Sequence, residues 1–263
     1  VTAAERAFFL PDGDDRFVAT ELTRGPWDPR FQHAGPPSGL LVRAVERCPS
    51  ETPMQVVRIA LDILRPVPIG PLTVAAEVAR PGRNVELIDA RLRDEDGVVV
   101  RASAWRIRRT ELDIPRPDDG PSMPGPEQGE RKPFFPTGIE VGYHTAMDWS
   151  FVSGGFQDQG PAEVWLRTTV ALVAGEEPSP IQRVLIAADS GNGVSGALDY
   201  HRYLFINTDL VVSLHREPEG EWIGMDARTV PEPTGIGLAA TILHDERGPI
   251  GRATQSLLVA ERA

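Results

Sequence analysis

The sequence predicts an α+β fold in which one unit, a helix laid on a long curved antiparallel sheet, occurs twice. Two observations carry this. First, Leu92-Arg93-Asp94-Glu95-Asp96-Gly97 returns 151 residues later as Leu243-His244-Asp245-Glu246-Arg247-Gly248, and Arg101-Ala102-Ser103 returns as Arg252-Ala253-Thr254. At the same offset Arg65 maps to Arg216, Leu72 to Ile223 and Ala79 to Val230. A match without insertions over roughly forty residues reads as a duplicated supersecondary unit. Second, each half carries an apolar helical stripe followed by long strand-like runs. One apolar helix face and one apolar sheet face must bury each other.

In chain order, residues 17–22 read as a strand ended by Gly25-Pro26. Residues 33–39 read as a small-residue loop, with Ser38 as N-cap of a helix whose apolar face is Leu40, Leu41, Ala44, Val45 and Cys48. Strands follow at 55–64, 72–80, 86–93 and 98–108, the last two joined by a turn at 94–97. Residues 110–133 hold Pro115, Pro117, Pro121, Pro124 and Pro126 among acidic residues and glycines, the composition of an extended surface linker. The expected units are therefore 1–110 and 134–263, separated by a linker at 111–133. In the second unit 162–172 alternates as a strand. Ser179-Pro180 is an N-cap and N1 pair, and Ile181, Val184, Leu185 and Ala188 make a buried helical stripe. Strands at 204–214, 222–230, 237–244 and 250–259 then repeat the first set.

The chain has 263 residues and a formal net charge of -11, which argues against a nucleic-acid backbone binder. Its lone cysteine, Cys48, fits a reducing compartment. No signal peptide and no long apolar run is visible, so a cytoplasmic protein without membrane insertion is expected, its start at Val1 a trimmed terminus. One cysteine and scattered histidines give no metal-ligand spacing, so no metal or cofactor is expected.

The chemistry is expected where the copies disagree. Val56 becomes Asn207 and Ala104 becomes Gln255, polar groups in place of apolar ones. A buried amide without partners costs about 1–3 kcal/mol, so these two should find polar company. Asp189, at the end of the second helix, is the carboxylate within reach. The helix dipole and desolvation would both raise its pKa and make it a better base. Two amides and a carboxylate can hold a water between them. Thr208 takes the place of Asn207 if the register is off by one. His33, in the small-residue loop, can face a cleft. Arg80 and Arg83 flank a turn able to hold a phosphate at a cleft mouth.

Five segments carry a family resemblance. They are Phe31 through Gly39, Leu64-Arg65-Pro66, Val184 through Gly193, Asn207 through Arg216, and Arg252-Ala253-Thr254-Gln255. Together with the duplication they resemble the acyl-CoA thioesterase II (TesB-like) family of thioesterase-like proteins. The resemblance implies a double hotdog, two repeats each with a central helix wrapped by a long curved antiparallel sheet. It implies hydrolysis of an acyl-CoA or related thioester, with no cofactor beyond the CoA of the substrate, and assembly as a homodimer or higher homo-oligomer. It also implies that Asp189, Asn207 and Gln255 bind the hydrolytic water and that Asp189 takes its proton. Asn207 stands where the family has threonine, and an amide can only orient. In the loop Ala34-Gly35-Pro36-Pro37 both prolines lack an amide proton, which points to Ser38 or Gly39 as oxyanion donors. The alternatives are a non-catalytic acyl-ligand binding protein and an acyl-thioester dehydratase working through His33.

Overall fold

The computed structural model describes residues 6–115 and 120–262. Residues 116–119 of the expected linker, and the start at Val1, lie outside the described residues. The first half runs β1 (Ala7–Pro11), β2 (Arg16–Ala19), α1 (Gly35–Arg47), β3 (Met54–Ile63), β4 (Pro71–Arg80), β5 (Val85–Asp94) and β6 (Gly97–Arg108). The second runs β7 (Met147–Ser153), β8 (Ala162–Thr168), β9 (Ala171–Val173), α2 (Pro180–Ala188) and α3 (Gly191–Val194). It continues with β10 (Tyr203–Asn207), β11 (Asp209–Leu214), β12 (Ile223–Pro231), β13 (Ile236–Asp245) and β14 (Gly248–Glu261).

The duplication is visible in the register. Ile88 pairs with Ala104 between β5 and β6, and Ala239 with Gln255 between β13 and β14, each 151 residues on. Arg65 forms a bidentate pair with Asp94 and also donates to the carbonyl of Gly97. Arg216 does the same with Asp245 and Gly248. These pairs clamp equivalent hairpin turns.

The two clamps differ in burial. The Asp245 side chain is 0% accessible against 6% for Asp94, and Arg216 is 19% against 34% for Arg65. Burial alone would raise the Asp245 carboxyl, but Arg216 and the N–H groups of Glu219 and Arg247 outweigh it and hold the carboxyl below its ordinary range. Arg65 chiefly does so for Asp94. Both carboxylates thus contribute stability that is present above the ordinary aspartate pKa and lost as pH falls through the depressed one. Arg216→Met leaves a buried, uncompensated charge and is expected to cost about 3–5 kcal/mol, with Arg65→Met costing less. Urea unfolding at neutral pH checks the order, and equal losses would contradict it.

The expectation of two helices, each wrapped by its own long curved antiparallel sheet, is corrected. The strands form one mixed sheet in the order β7-β8-β12-β13-β14-β11-β3-β6-β5-β4-β2-β1-β9, with β10 paired to β14. It is open, neither closed nor strongly curled. Two pairings across the halves make it continuous. β3 pairs with β11 around Ala60 and Val211, themselves one repeat apart, and β1 pairs in parallel with β9. An unpaired edge strand leaves a row of N–H and C=O groups unsatisfied, and each half supplies the other's edge.

The helices also bury each other rather than sitting singly against a sheet. α1 packs on α2 through Gly35 and Gly39. An added Cβ at Gly35 would collide with the carbonyl oxygen of Ile186, and one at Gly39 would come 2.8 Å from Ile186 Cγ1. The small residues before Leu40 are thus the first turn of α1 and not a loop. Ala34 is the N-cap position, Pro36 and Pro37 fill first-turn sites whose N–H groups would go unused, and the Ser38 Oγ donates to Ala34 O at 2.7 Å. Ser38 as N-cap is therefore corrected. In contrast, Ser179 does cap α2, its hydroxyl accepting from Gln182 N at 3.1 Å.

Candidate active site

The site is assembled where α2 ends. Its apolar face is buried, and Asp189 follows as the C-cap residue, 4% accessible, just before the chain turns into α3. Strand alternation brings Gln255 to it. On β14, Ala253, Gln255 and Leu257 point inward and are buried, while Thr254 and Ser256 are exposed. Asn207 arrives through a backbone irregularity. β3 is bulged between Val56 and Arg58, and one repeat later the run expected at 204–214 is broken at Thr208 into β10 and β11. A bulge re-aims its neighbouring side chain. Here Asn207 turns in and Thr208 is left exposed, its hydroxyl 3.4 Å from Ser256 O.

The contacts are specific. Asp189 Oδ1 accepts from Asn207 Nδ2 at 2.9 Å and from Gln255 Nε2 at 3.3 Å. Gln255 Nε2 also donates to Asp189 O at 3.1 Å, and its Oε1 accepts from Asn192 N at 3.0 Å. Both faces of the Gln255 amide are therefore occupied by protein. It locks the α2–α3 junction and does not line the cavity. Asp189 Oδ2 lies 3.0 Å from His33 Nδ1. The His33 ring stacks on Tyr143, with centroids 3.8 Å apart. Tyr143 donates its hydroxyl to Ile186 O at 2.7 Å and lies 3.0 Å from Ser190 Oγ. Burial pushes the Tyr143 phenol far above its ordinary range, which keeps it a neutral O–H.

Asp189, Asn207 and His33 face a cavity of about 610 Å³. Its wall combines aliphatic side chains, Ile63, Val67 and Leu204 among them, with a larger aromatic set. Trp27, Phe31, Phe134, Phe135, Tyr143, Trp149 and Phe156 line it, seven of the chain's 17 aromatic residues. Phe156 is met edge-on by Phe134, Phe135 and Trp149. Leu64, Ile206 and Leu258 line it while remaining exposed, which marks the mouth.

Other expected site residues are distributed differently. Thr208 lines the cavity. Gly35 is near the site through its N–H, 3.1 Å from His33 Nδ1. Ser38 is removed as an oxyanion donor because its N–H is spent on Ala34 O at 2.9 Å, and Gly39 packs against Ile186. Neither lines the cavity. Arg80 and Arg83 also stay away from it. Arg80 donates to Val85 O across its own turn and lies over the Trp105 ring, and Arg83 offers its carbonyl to Thr52. Tyr143 and Asn192 were not expected. Tyr143 lies before the second copy's matched strands, where no repeat partner singles it out. Asn192 works through its backbone N–H, which no residue type announces. Among the described residues, no group of three or more His, Cys, Asp and Glu side chains is placed to hold a metal ion.

Comparison with known families matches the N-terminal domain model of acyl-CoA thioesterases to residues 23–107 and the C-terminal domain model to residues 117–259. The chain belongs to the acyl-CoA thioesterase family. Solved structures share the fold of this thioesterase-family chain. A hot dog fold protein from Alicyclobacillus acidocaldarius superposes with a TM-score of 0.74 at 15% identity, covering 100% of this chain and 99% of its own. The acyl-CoA thioesterase II TesB2 from Mycobacterium marinum gives 0.68 at 14% identity, with 97% and 96% covered. The tesB protein of Mycobacterium avium subs paratuberculosis gives 0.66 at 14%, with 98% and 97% covered. Comparison with curated protein sequences finds no match. Among the described residues, no helix is long and apolar enough to cross a membrane.

Proposed function

We propose that this chain hydrolyses acyl-CoA thioesters by direct attack of a water activated at Asp189. The observation that carries the reading is the setting of one carboxylate. Asp189 sits at the wall of an apolar cavity large enough for an acyl group, and its Oδ1 is held by two amides that the other half of the duplication lacks. With Oδ1 filled by Asn207 and Gln255, and His33 on one side of Oδ2, the second Oδ2 lone pair is left for water. Asn207, which faces the cavity, is placed to orient that water or the thioester carbonyl. Membership of the thioesterase family supports acyl thioesters as the substrate class.

A screen for thiol release across acyl-CoA chain lengths tests this, with Asp189→Asn as the control. Tight acyl-CoA binding without turnover at any length would leave a binding protein in its place. Gln255 is a positioning residue in this scheme. Gln255→Leu frees Asp189 to rotate and is expected to lower kcat about 10²-fold, the cost of a misplaced catalytic group. KM should barely move, because Gln255 does not line the cavity. A raised KM with unchanged kcat would contradict that role.

A further inference from the structure

The proton's route is decided by a conflict at one nitrogen. His33 Nδ1 has Asp189 Oδ2 at 3.0 Å and the Gly35 N–H donor at 3.1 Å. It cannot donate to the first and accept from the second at once. If Nδ1 is bare, its lone pair faces an ionised carboxylate. If Nδ1 carries the ring proton, it makes a charge-assisted hydrogen bond, roughly twice as strong as the neutral bond to Gly35 that it forgoes. The Nδ1–H tautomer therefore wins while Asp189 is ionised, and Nε2 is left bare. The ring lines the cavity, and its hydrogen-bond contacts with Gly35 and Asp189 both fall on Nδ1.

We infer that His33 is a catalytic residue of this site, its Nε2 being the base that takes the proton of the attacking water while Asp189 holds the Nδ1–H tautomer. The inference rests on the hydrolase reading and revises its base: Asp189 acts on the water through His33, so the attacking water lies at Nε2 and not on Oδ2. The water oxygen bonds to the thioester carbonyl carbon as its proton moves to Nε2. The resulting imidazolium is paired with Asp189. When the C–S bond breaks, sulfur leaves with the electron pair and takes the Nε2 proton, giving a carboxylic acid and a thiol. His33 thus ends as it began.

The surroundings favour a neutral, basic ring. Burial lowers the His33 pKa, and Asp189 only partly restores it. Tyr143, packed on the other ring face, stays neutral. The remaining charged or titratable groups on the cavity wall are engaged elsewhere. Arg24 is paired with Glu21, Asp28 with Arg30 and Arg65 with Asp94, while His144 stacks on Phe134.

Two measurements test it. His33→Ala and His33→Gln are expected to lower kcat about 10²-fold or more, with KM little changed. The wild-type acid limb of kcat/KM, set by protonation of His33 below the ordinary histidine value, should vanish in both, and added imidazole should partly rescue His33→Ala. Turnover near wild type with the acid limb intact would overturn the inference while leaving hydrolysis at Asp189 standing. Independently of turnover, nitrogen NMR at neutral pH should find the His33 proton on Nδ1 in the wild type and on Nε2 in Asp189→Asn. A wild-type Nε2–H tautomer would overturn the inference even if no acyl-CoA proved to be a substrate, which is the separate failure of the hydrolase reading.

Discussion

Asp189→Asn is expected to lower thiol release by about 10³- to 10⁴-fold with the fold intact, the scale seen when an aspartate that orients a catalytic histidine is made an amide. The substitution is nearly isosteric, and the site can accommodate it. The new carbonyl can keep Oδ1's place and still accept from Asn207 and Gln255. The new NH₂ then faces His33 Nδ1 and donates to it. No buried group loses its partner, so stability should change little. What is lost is the negative charge and, with it, the Nδ1–H tautomer of His33. Thiol-release kinetics alongside urea unfolding separates the two effects. Wild-type-like turnover in this variant would remove Asp189 from the chemistry, and a large stability loss would show that the amide cannot adopt the orientation described.

Gly35→Ala is expected to give a large structural effect for a single methyl group. Its Cβ would collide with the backbone carbonyl oxygen of Ile186. A backbone atom in the last turn of α2 cannot move aside without shifting the helix, so the cost should reach or exceed the upper end of the ~1–3 kcal/mol typical of overpacking. Gly39→Ala makes a useful contrast. Its new methyl meets side-chain atoms of Ile186 and Leu172 rather than backbone, and these shift more readily than a helix, so a smaller loss of about 1 kcal/mol is expected. Gly35→Ala should also depress activity in whatever fraction folds. α1 would be pushed off α2, and with it the chain that carries His33 toward Asp189. Urea midpoints of the two variants check the ranking. Equal stabilities would mean that the helices part easily and that close approach at Gly35 is not what seats the site.

Much of the architecture is readable from local pattern. Strand periodicity places β3, β4, β5, β6, β12, β13 and β14 within a residue or two of their limits, because alternation is set by which side chains face a core. The 151-residue offset survives into strand register and even into the bulge that separates Val56 from Arg58 and recurs at Thr208. The mismatches Val56 to Asn207 and Ala104 to Gln255 lead to the site because buried amides require partners, and Asp189 is one. Other features carry no local signal. β1 is only five residues long, and nothing in residues 7–11 announces a parallel partner at Ala171 and Val173. The start of α1 is hidden because Gly-Pro-Pro reads as loop by composition, and only a close-packed neighbouring helix gives those residues a helical role. Arg80 and Arg83 have the chemistry of a phosphate site but lie on a turn away from the cavity.

Legible in the chain alone are the duplicated α+β unit, the equivalent turns at Asp94 and Asp245, and the identity of the polar groups that set one half apart from the other. Those properties follow from residue type and spacing along the chain. Packing in three dimensions adds that the halves share one open sheet, that Gln255 contacts Asp189 rather than the cavity, that aromatic residues line it, and that His33 meets Asp189. Each of these depends on which surfaces meet across long stretches of chain, through edge pairing, helix approach and the space left between packed side chains. His33 and Asp189 are 156 residues apart, and their contact exists because Gly35 lets α1 come close to the backbone of α2.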